Sequence, residues 1–365
     1  MSKPRPEPDT PACYALVHPG LEEVAGDEIT RDLGGHVKKS GRGIVAFRVD
    51  EITPELLQLR TTEDVFLLAW GTDDLTYRAS VDLDKIATWT RRAPWDRLLK
   101  IHHAVHPKPK GKPTYRLVTQ MSGTHGYRRH DAGKSLAQGL EGVFPTSWKP
   151  AEVNAAVEVW LTISGKQAVC GLRLSDRTMR HRPYKQEHLP ASLRPTVAAA
   201  MVRLAGIAPG HVILDPMCGV GTILAEASEL ARQRGTGRIT VWGGDIERNA
   251  LLAAATNLKR CSPDLLAHWD ARRLPLATGS VDRVIGNPPF GRQLGVPEEI
   301  AALYRRIVAE CDRVLKPGGR AAFLVGDPEP LLAAVRPVGW LPHKQVRVRI
   351  LGLSALIGVW RKAEA

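Results

Sequence analysis

The sequence predicts an α/β protein: a C-terminal, largely parallel sheet that ends in an antiparallel hairpin, with a smaller α+β region before it. Three features carry that expectation. From residue 211 onward, short apolar runs ending in Asp or Gly alternate with stretches of helical periodicity, the pattern of successive strand–helix units. The last two apolar runs, KQVRVRI and SALIGVW, have no helix between them, and a tight Leu-Gly-Leu joins them as a hairpin. The first 175 residues instead mix short strands, helices and a strongly basic stretch.

Taken in order, MSKPRPEPDTP is charged, rich in Pro and lacks an apolar core, so residues 1–11 read as a disordered tail without a signal peptide. CYALV follows as a strand, LEEVAGDEITRDLG as an amphipathic helix with a Gly stop, and GIVAFRV as a strand, giving a small α+β domain over 12–78. Residues 91–116 carry eight Lys or Arg against one Asp, too basic for a core, and read as a solvated loop. Beyond them, TYRLVTQMSGTHGYRRHDAGKSLAQGL reads as a strand, a basic turn and a helix. Arg128, Arg129 and Lys134 then stand near a helix start, where backbone N–H groups favour phosphate. AAVEVWLTISGKQAVCGLRL makes a hairpin about Ser-Gly-Lys and closes a second region, 79–175. Residues 176–195, with Arg180, Arg182 and Lys185, read as a basic interdomain linker able to touch a nucleic-acid backbone. TVAAAMVRLAG opens the last domain, 196–365, as a helix with a Gly stop.

At 365 residues and 43% hydrophobic composition, the chain is long enough for two or three cores. The balance of 51 Lys and Arg against 38 Asp and Glu, a net +13, points to a polyanionic partner, nucleic acid first. Five scattered cysteines without metal-ligand spacing read as free thiols in a reducing compartment, and no segment is apolar enough to span a bilayer. The expectation is a cytoplasmic protein with no metal.

The chemistry-bearing residues gather at strand ends. In LDPMCGVGT, Asp215 ends a strand and Gly219-x-Gly221 turns into a helix, leaving backbone open to a ligand; Leu224 stands where a dinucleotide fingerprint needs a third glycine. Asp245 ends the second strand, where an acid accepts from ribose hydroxyls, and Asp270 ends the third, where it accepts from an adenine amine while the Ala271 N–H donates to a ring nitrogen. The fourth strand runs into Asn287-Pro288-Pro289-Phe290. By itself Asn-Pro is a turn initiator. At a strand C-terminus it lies in the binding crevice. There the Asn287 side-chain oxygen and the Pro288 carbonyl would accept from both N–H groups of an exocyclic base amine, and Phe290 would stack on the base.

These motifs resemble those of class I S-adenosylmethionine-dependent amino-methyltransferases, which have a Rossmann-like sheet with a terminal hairpin. SGTHGYRRHDAGKSLAQGL with the hairpin after it resembles a THUMP domain, an RNA-binding module, and the N-terminal α+β region is of ferredoxin-like type. Together they resemble the THUMP-containing tRNA guanine-N2 methyltransferases. The resemblance implies methyl transfer from S-adenosyl-L-methionine to a guanosine N2 amine in the tRNA acceptor stem region, at a position of the 6 type, by a monomer. It implies cofactor contacts at Asp215, Cys218, Gly219, Gly221, Thr222, Asp245, Ile246, Asp270, Ala271 and Asn287, and base contacts at Asn287, Pro288, Pro289 and Phe290. A grip on tRNA, including its 3′ end, falls to Arg128, Arg129, Lys134, Arg180, Arg182, Lys185 and Arg292. Two positions depart from the family's pattern: Trp269 precedes the adenine-binding Asp where a small residue is usual, and Gly286 replaces Thr or Ser before Asn287. The alternatives are a ribosomal RNA guanine-N2 or DNA adenine-N6 methyltransferase and, in another class, a non-catalytic RNA-binding protein or RNA chaperone.

Overall fold

The computed structural model describes residues 10–106, 113–190, 192–235, 237–261, 263–289, 297–350 and 352–364. Most of the expected N-terminal tail therefore lies outside the described residues. The chain forms two compact units, one of residues 1–16, 26–59 and 64–179 and the other of residues 17–25, 60–63 and 180–365.

The first unit contains β1 (Cys13–Leu16), α1 (Glu22–Leu33, whose first turn belongs to the second unit), β2 (His36–Gly41), β3 (Ile44–Arg48), β4 (Asp64–Thr72), α2 (Ala79–Arg92), α3 (Trp95–Val105), β5 (Thr114–Ser122), α4 (Arg129–Gly139), β6 (Lys149–Pro150), β7 (Val157–Ser164) and β8 (Gln167–Arg173). The regions read separately as 12–78 and 79–175 share one eight-stranded sheet, ordered β2-β3-β1-β4-β8-β7-β5-β6. Antiparallel pairing of β4 with β8 joins them, and the rings of Tyr14 and Phe66 stack at 4.6 Å between centroids in the core below. The loop expected at 91–116 is corrected in its first part: residues 95–105 are helical. Trp95, Leu98 and His102 recur on one buried face while the cations point outward, so a basic composition concealed an amphipathic helix.

The second unit contains α5 (Pro195–Ala205), β9 (Val212–Asp215), α6 (Thr222–Arg234), β10 (Thr240–Asp245), α7 (Arg248–Asn257), β11 (Leu265–His268), β12 (Val281–Gly286), α8 (Pro297–Val314), β13 (Leu315–Val325), α9 (Glu329–Val338), β14 (Leu341–Ile350) and β15 (Leu353–Arg361). Its seven strands run β11-β10-β9-β12-β13-β15-β14; the first five are parallel, and β15 and β14 are antiparallel to their neighbours. Both faces are covered, and successive residues of the central strands enter opposite cores. Ile213, Ile285 and Ala322 pack with α5 and α6, and Leu214, Val284 and Phe323 with α8 and α9. Strand order reverses between β9 and β12, which opens a crevice at their C-terminal ends.

The segment expected as a linker is corrected as well. Residues from 180 on belong to this unit, where Arg182 and Tyr184 are buried. Their anchor is Glu226 of α6, fully buried, which accepts from Arg60 Nε at 2.6 Å, Arg60 Nη2 at 3.0 Å and the Tyr184 hydroxyl at 2.7 Å. A buried carboxylate needs such partners, since stranding one costs about 3–5 kcal/mol.

Candidate functional site

Val284 of β12 lies opposite Leu214 of β9, so the Asp215 loop and the Asn287 turn leave neighbouring strands side by side. A Cβ added to Gly286 would stand 3.6 Å from Met217 Cε, which shows how closely the two loops approach.

The first loop is drawn tight by its own backbone. Gly221 N–H donates to the Cys218 carbonyl at 2.8 Å, and Cys218 N–H to the Gly244 carbonyl at 2.9 Å. Both glycines have positive φ, 52° at Gly219 and 79° at Gly221, but they serve different ends. A Cβ on Gly221 would meet Leu258 Cδ1 at 2.8 Å, so close packing on the end of α7 requires glycine there. At Gly219 a Cβ would meet nothing within 4 Å, so this backbone faces open space where a ligand can approach. The Cys218 thiol is buried and pushed well above its ordinary pKa by burial, then by Asp215 and Asp245, and it donates to the Gly219 carbonyl at 3.8 Å.

Asp245 closes the loop from the next strand: Oδ2 accepts from Gly219 N–H at 2.8 Å and Oδ1 from Glu247 N–H at 2.9 Å. Ile246 beside it is 54% exposed, an apolar side chain offered to the crevice rim. Asp215 is 1% exposed and accepts from Met217 N–H at 3.2 Å. Burial, reinforced by Asp245, lifts its pKa well above the carboxylate range. A cation brought beside the pair would favour the ionised form of Asp215 again. At the head of α6, the Thr222 hydroxyl is buried and without a hydrogen-bond partner among the described residues. Asp270 is bound by Arg272, whose Nε lies 2.9 and 2.8 Å from its two oxygens, and this pairing holds the carboxyl below its usual range. With the Arg272 backbone N–H also on Oδ1 and its Nη2 on Oδ2, Arg272 takes up the carboxylate's roughly four acceptor directions, so a ligand donor at Asp270 has to displace part of this pairing. Ala271 is buried next to it.

Both departures at Trp269 and Gly286 have a local reason. The Trp269 indole fills the space over Gly244, where a Cβ would meet Cε2 at 2.3 Å, and its Nε1 donates to the Pro216 carbonyl at 3.0 Å. At Gly286 a Cβ would come 3.3 Å from the Phe323 ring, a contact tighter than most side chains make.

In the second loop Pro288 is buried, and the Asn287 side-chain oxygen is buried with no partner among the described residues. The Tyr304 hydroxyl on α8 donates to the Pro289 carbonyl at 3.0 Å. Burial, then Asp327, pushes that hydroxyl up to about 12, so it stays a donor. The sequence reading missed Tyr304. It lies on a helix whose apolar face reads as core, and nothing local marks its reach to residue 289. Phe290 and Arg292 lie outside the described residues.

Asn257, at the end of α7, was also missed. It is 1% exposed and uses its whole amide: Oδ1 accepts from Gln186 and Glu187 N–H, both at 2.8 Å, and Nδ2 donates to the Glu187 carbonyl at 3.1 Å and to the Val220 carbonyl, inside the glycine loop, at 3.0 Å. Asn257→Ala leaves those backbone groups unpaired, at about 1–3 kcal/mol each. The expected result is a roughly tenfold weaker cofactor affinity by titration calorimetry, with turnover at saturating cofactor retained. A role in stability alone would lower the melting temperature and leave affinity intact.

Of the cations expected to meet RNA, Arg128, Arg129 and Lys134 are exposed at the start of α4, whose N-terminus is capped by Asp131 Oδ2 accepting from Arg128 N–H at 2.9 Å. Of three others, Arg182 is corrected, while Lys185 and Arg180 are half-buried. Arg182 is buried, with Nη2 on the Arg60 carbonyl at 2.8 Å and Nε 3.4 Å from Glu226. Lys185 donates to the Leu193 carbonyl, and burial, then Arg194, pulls its ammonium down to about 8. Arg180 is half-buried, and burial lowers its pKa while Glu63 opposes the shift. Charge counted along the chain could not tell buried Arg182 from a surface cation.

The crevice thus combines open glycine backbone, acidic side chains at the ends of adjacent strands, and two buried oxygens without partners among the described residues. This set fits a ligand with a hydroxyl-bearing ring and a cationic end, next to a second group that donates N–H.

Residues 182–355 match the family described as RMKL-like, methyltransferase domain. The chain is 28% identical over 348 residues to the tRNA (guanine(6)-N2)-methyltransferase of Thermus thermophilus, covering 91% of this chain and 94% of that one. It is 30% identical over 256 residues to the Bos taurus tRNA (guanine(6)-N(2))-methyltransferase THUMP3, covering 64% of this chain but about half, 48%, of that longer relative. Among solved structures, TrmN from Thermus thermophilus superposes with a TM-score of 0.75 at 26% identity, covering 96% of this chain and 99% of that one.

Proposed function

We propose that this chain, whose residues 182–355 match the RMKL-like methyltransferase domain, transfers a methyl group from S-adenosylmethionine to the N2 amine of a guanosine in tRNA, in the acceptor stem region. The observation that carries the reading is the buried Asn287 oxygen, without a partner among the described residues, beside a fixed proline carbonyl. Stranding such an acceptor costs about 1–3 kcal/mol, and a base amine entering the crevice recovers it.

A nucleobase amine is a poor nucleophile because its lone pair is delocalised into the ring. Asn287 Oδ1 and the Pro288 carbonyl accept its two N–H groups and favour the tetrahedral nitrogen that attacks. Positive charge builds on that nitrogen as it reacts, so the same two oxygens bind the transition state more tightly than the ground state. Tyr304 occupies the Pro289 carbonyl, and the prolines fix the direction of the carbonyl before it. When bound, S-adenosylmethionine supplies an electrophilic methyl group on a sulfonium. Asp245 would hold its ribose, Asp270 and Ala271 its adenine beside Ile246, and Asp215, Gly219, Gly221 and Thr222 its amino-acid end.

Exposed Arg128, Arg129 and Lys134 supply the RNA contact in the first unit, in keeping with a THUMP-like role and with the net charge of +13. The names of the Thermus and bovine relatives agree with tRNA as substrate. The test is transfer of labelled methyl from S-adenosylmethionine to unmodified total tRNA and, separately, to rRNA, followed by digestion to nucleosides. Label in N2-methylguanosine from tRNA is the expected result. Label confined to rRNA, or to an adenine derivative, would overturn the substrate or the base.

A further inference from the structure

Away from the crevice, the second unit places three arginines in a row. Arg283 of β12 pairs in register with Arg320 of β13, and Arg320 with Arg361 of β15. Residues directly opposite on adjacent strands point to the same face. Here it is the face that α5 covers, as the Arg283 Nε hydrogen bond to the Gly206 carbonyl at 3.0 Å confirms. Gly206 ends α5, so the row emerges where the helix stops.

Like charges opposed across a sheet destabilise it. Part of this charge has an internal use: Arg283 donates from Nε to the Gly206 carbonyl at the end of α5 and from Nη1 to the neighbouring Asp282 carbonyl, and Arg361 pairs with Glu364. Arg320 has no such use. It is half-buried, and among the described residues no carboxylate or carbonyl meets its guanidinium. The nearby acid Asp282 is taken by Lys316 and by Val212 N–H, both at 2.9 Å or less. The cations outweigh the acids here: burial, then Arg320, pulls Arg283 down to about 10 against the opposing Asp282, and exposed His343 on β14 is depressed by burial, then by Arg320, Arg361, Lys344 and Arg283. Such a field favours a further anion.

We propose that Arg283, Arg320 and Arg361 hold a phosphate group of the RNA substrate's backbone on this face, a contact separate from the catalytic crevice. The proposal rests on the RNA reading above, but its chemistry, a phosphate between guanidinium groups, is tested without it. Arg320→Gln removes the unpaired charge and keeps most of the side chain.

The first arm is thermal unfolding at low salt with and without millimolar inorganic phosphate. The variant is expected to melt about 2 °C above the parent, because a repulsion has gone, and to lose most of the stabilisation that phosphate gives the parent. The second arm is RNA binding across salt concentrations. Affinity for unmodified tRNA is expected to fall several-fold, with the slope of log affinity against log salt reduced by about one and turnover at saturating RNA unchanged. A lower melting temperature with an unchanged phosphate response would make the row structural and overturn the proposal. A lost phosphate response with unchanged RNA affinity would assign the site to free phosphate and overturn the RNA contact. If the parent methylates no RNA yet responds to phosphate through Arg320, the functional reading fails and the anion site stands.

Discussion

Asn287→Ala lowers turnover on RNA by about two to three orders of magnitude and leaves S-adenosylmethionine affinity within about twofold of the parent, the size expected when a preorganised polar group at a reacting centre is removed. The direction follows from what the oxygen touches. Within the described residues it holds up nothing: no side chain or backbone group donates to it. Its removal therefore spares the fold. What is lost is an acceptor used only when a base amine is present and needed most as that amine becomes tetrahedral, so the loss appears in kcat more than in KM. Asn287→Asp refines the test, because a carboxylate of the same shape still accepts a hydrogen bond and should retain more turnover than alanine does. Single-turnover methyl transfer at saturating cofactor, with cofactor binding measured separately by calorimetry, separates these outcomes. Equal loss of cofactor affinity and turnover in the alanine variant would mean that Asn287 serves the cofactor.

The parallel sheet was legible because its strands are short apolar runs that end in chemistry: β9, β10, β11 and β12 end at or just before Asp215, Asp245, Asp270 and Asn287. A strand C-terminus in such a sheet lines the crevice, so periodicity placed the candidate residues together without coordinates. The structure of residues 91–105 and 176–195 was not legible, for one reason in both cases. Charge along the chain reports composition, whereas burial depends on which partners the fold brings up. Arg182 becomes an interior group only because Glu226, 44 residues later, and the Arg60 carbonyl, 122 residues earlier, converge on it. Asn257 and Tyr304 escaped notice for the complementary reason. Each is one polar residue on an otherwise ordinary helix, and its role lies in a contact with backbone 37 or 15 residues away. Helix α9 was passed over because two prolines flank its apolar core, although a proline is tolerated in a first turn.

Asp245→Ala acts on the other half of the reaction. Its carboxylate accepts from Gly219 N–H and Glu247 N–H, so it shapes the glycine loop before any ligand arrives, and it stands where ribose hydroxyls would donate. Alanine removes both functions. Hydrogen bonds to a charged group contribute about 1.5–3 kcal/mol each, so S-adenosylmethionine affinity is expected to fall by about tenfold to a hundredfold. Turnover at saturating cofactor should fall far less, because neither contact is to the reacting amine. That is the reverse of the Asn287 pattern, and crossing the two substitutions gives a sharper test than either alone. If one residue serves the cofactor and the other the base, the double variant loses the sum of the two free energies, since groups without shared partners act independently. A double variant no worse than Asn287→Ala would mean that both residues serve a single step, and the division of the crevice into a cofactor side and a base side would have to be abandoned.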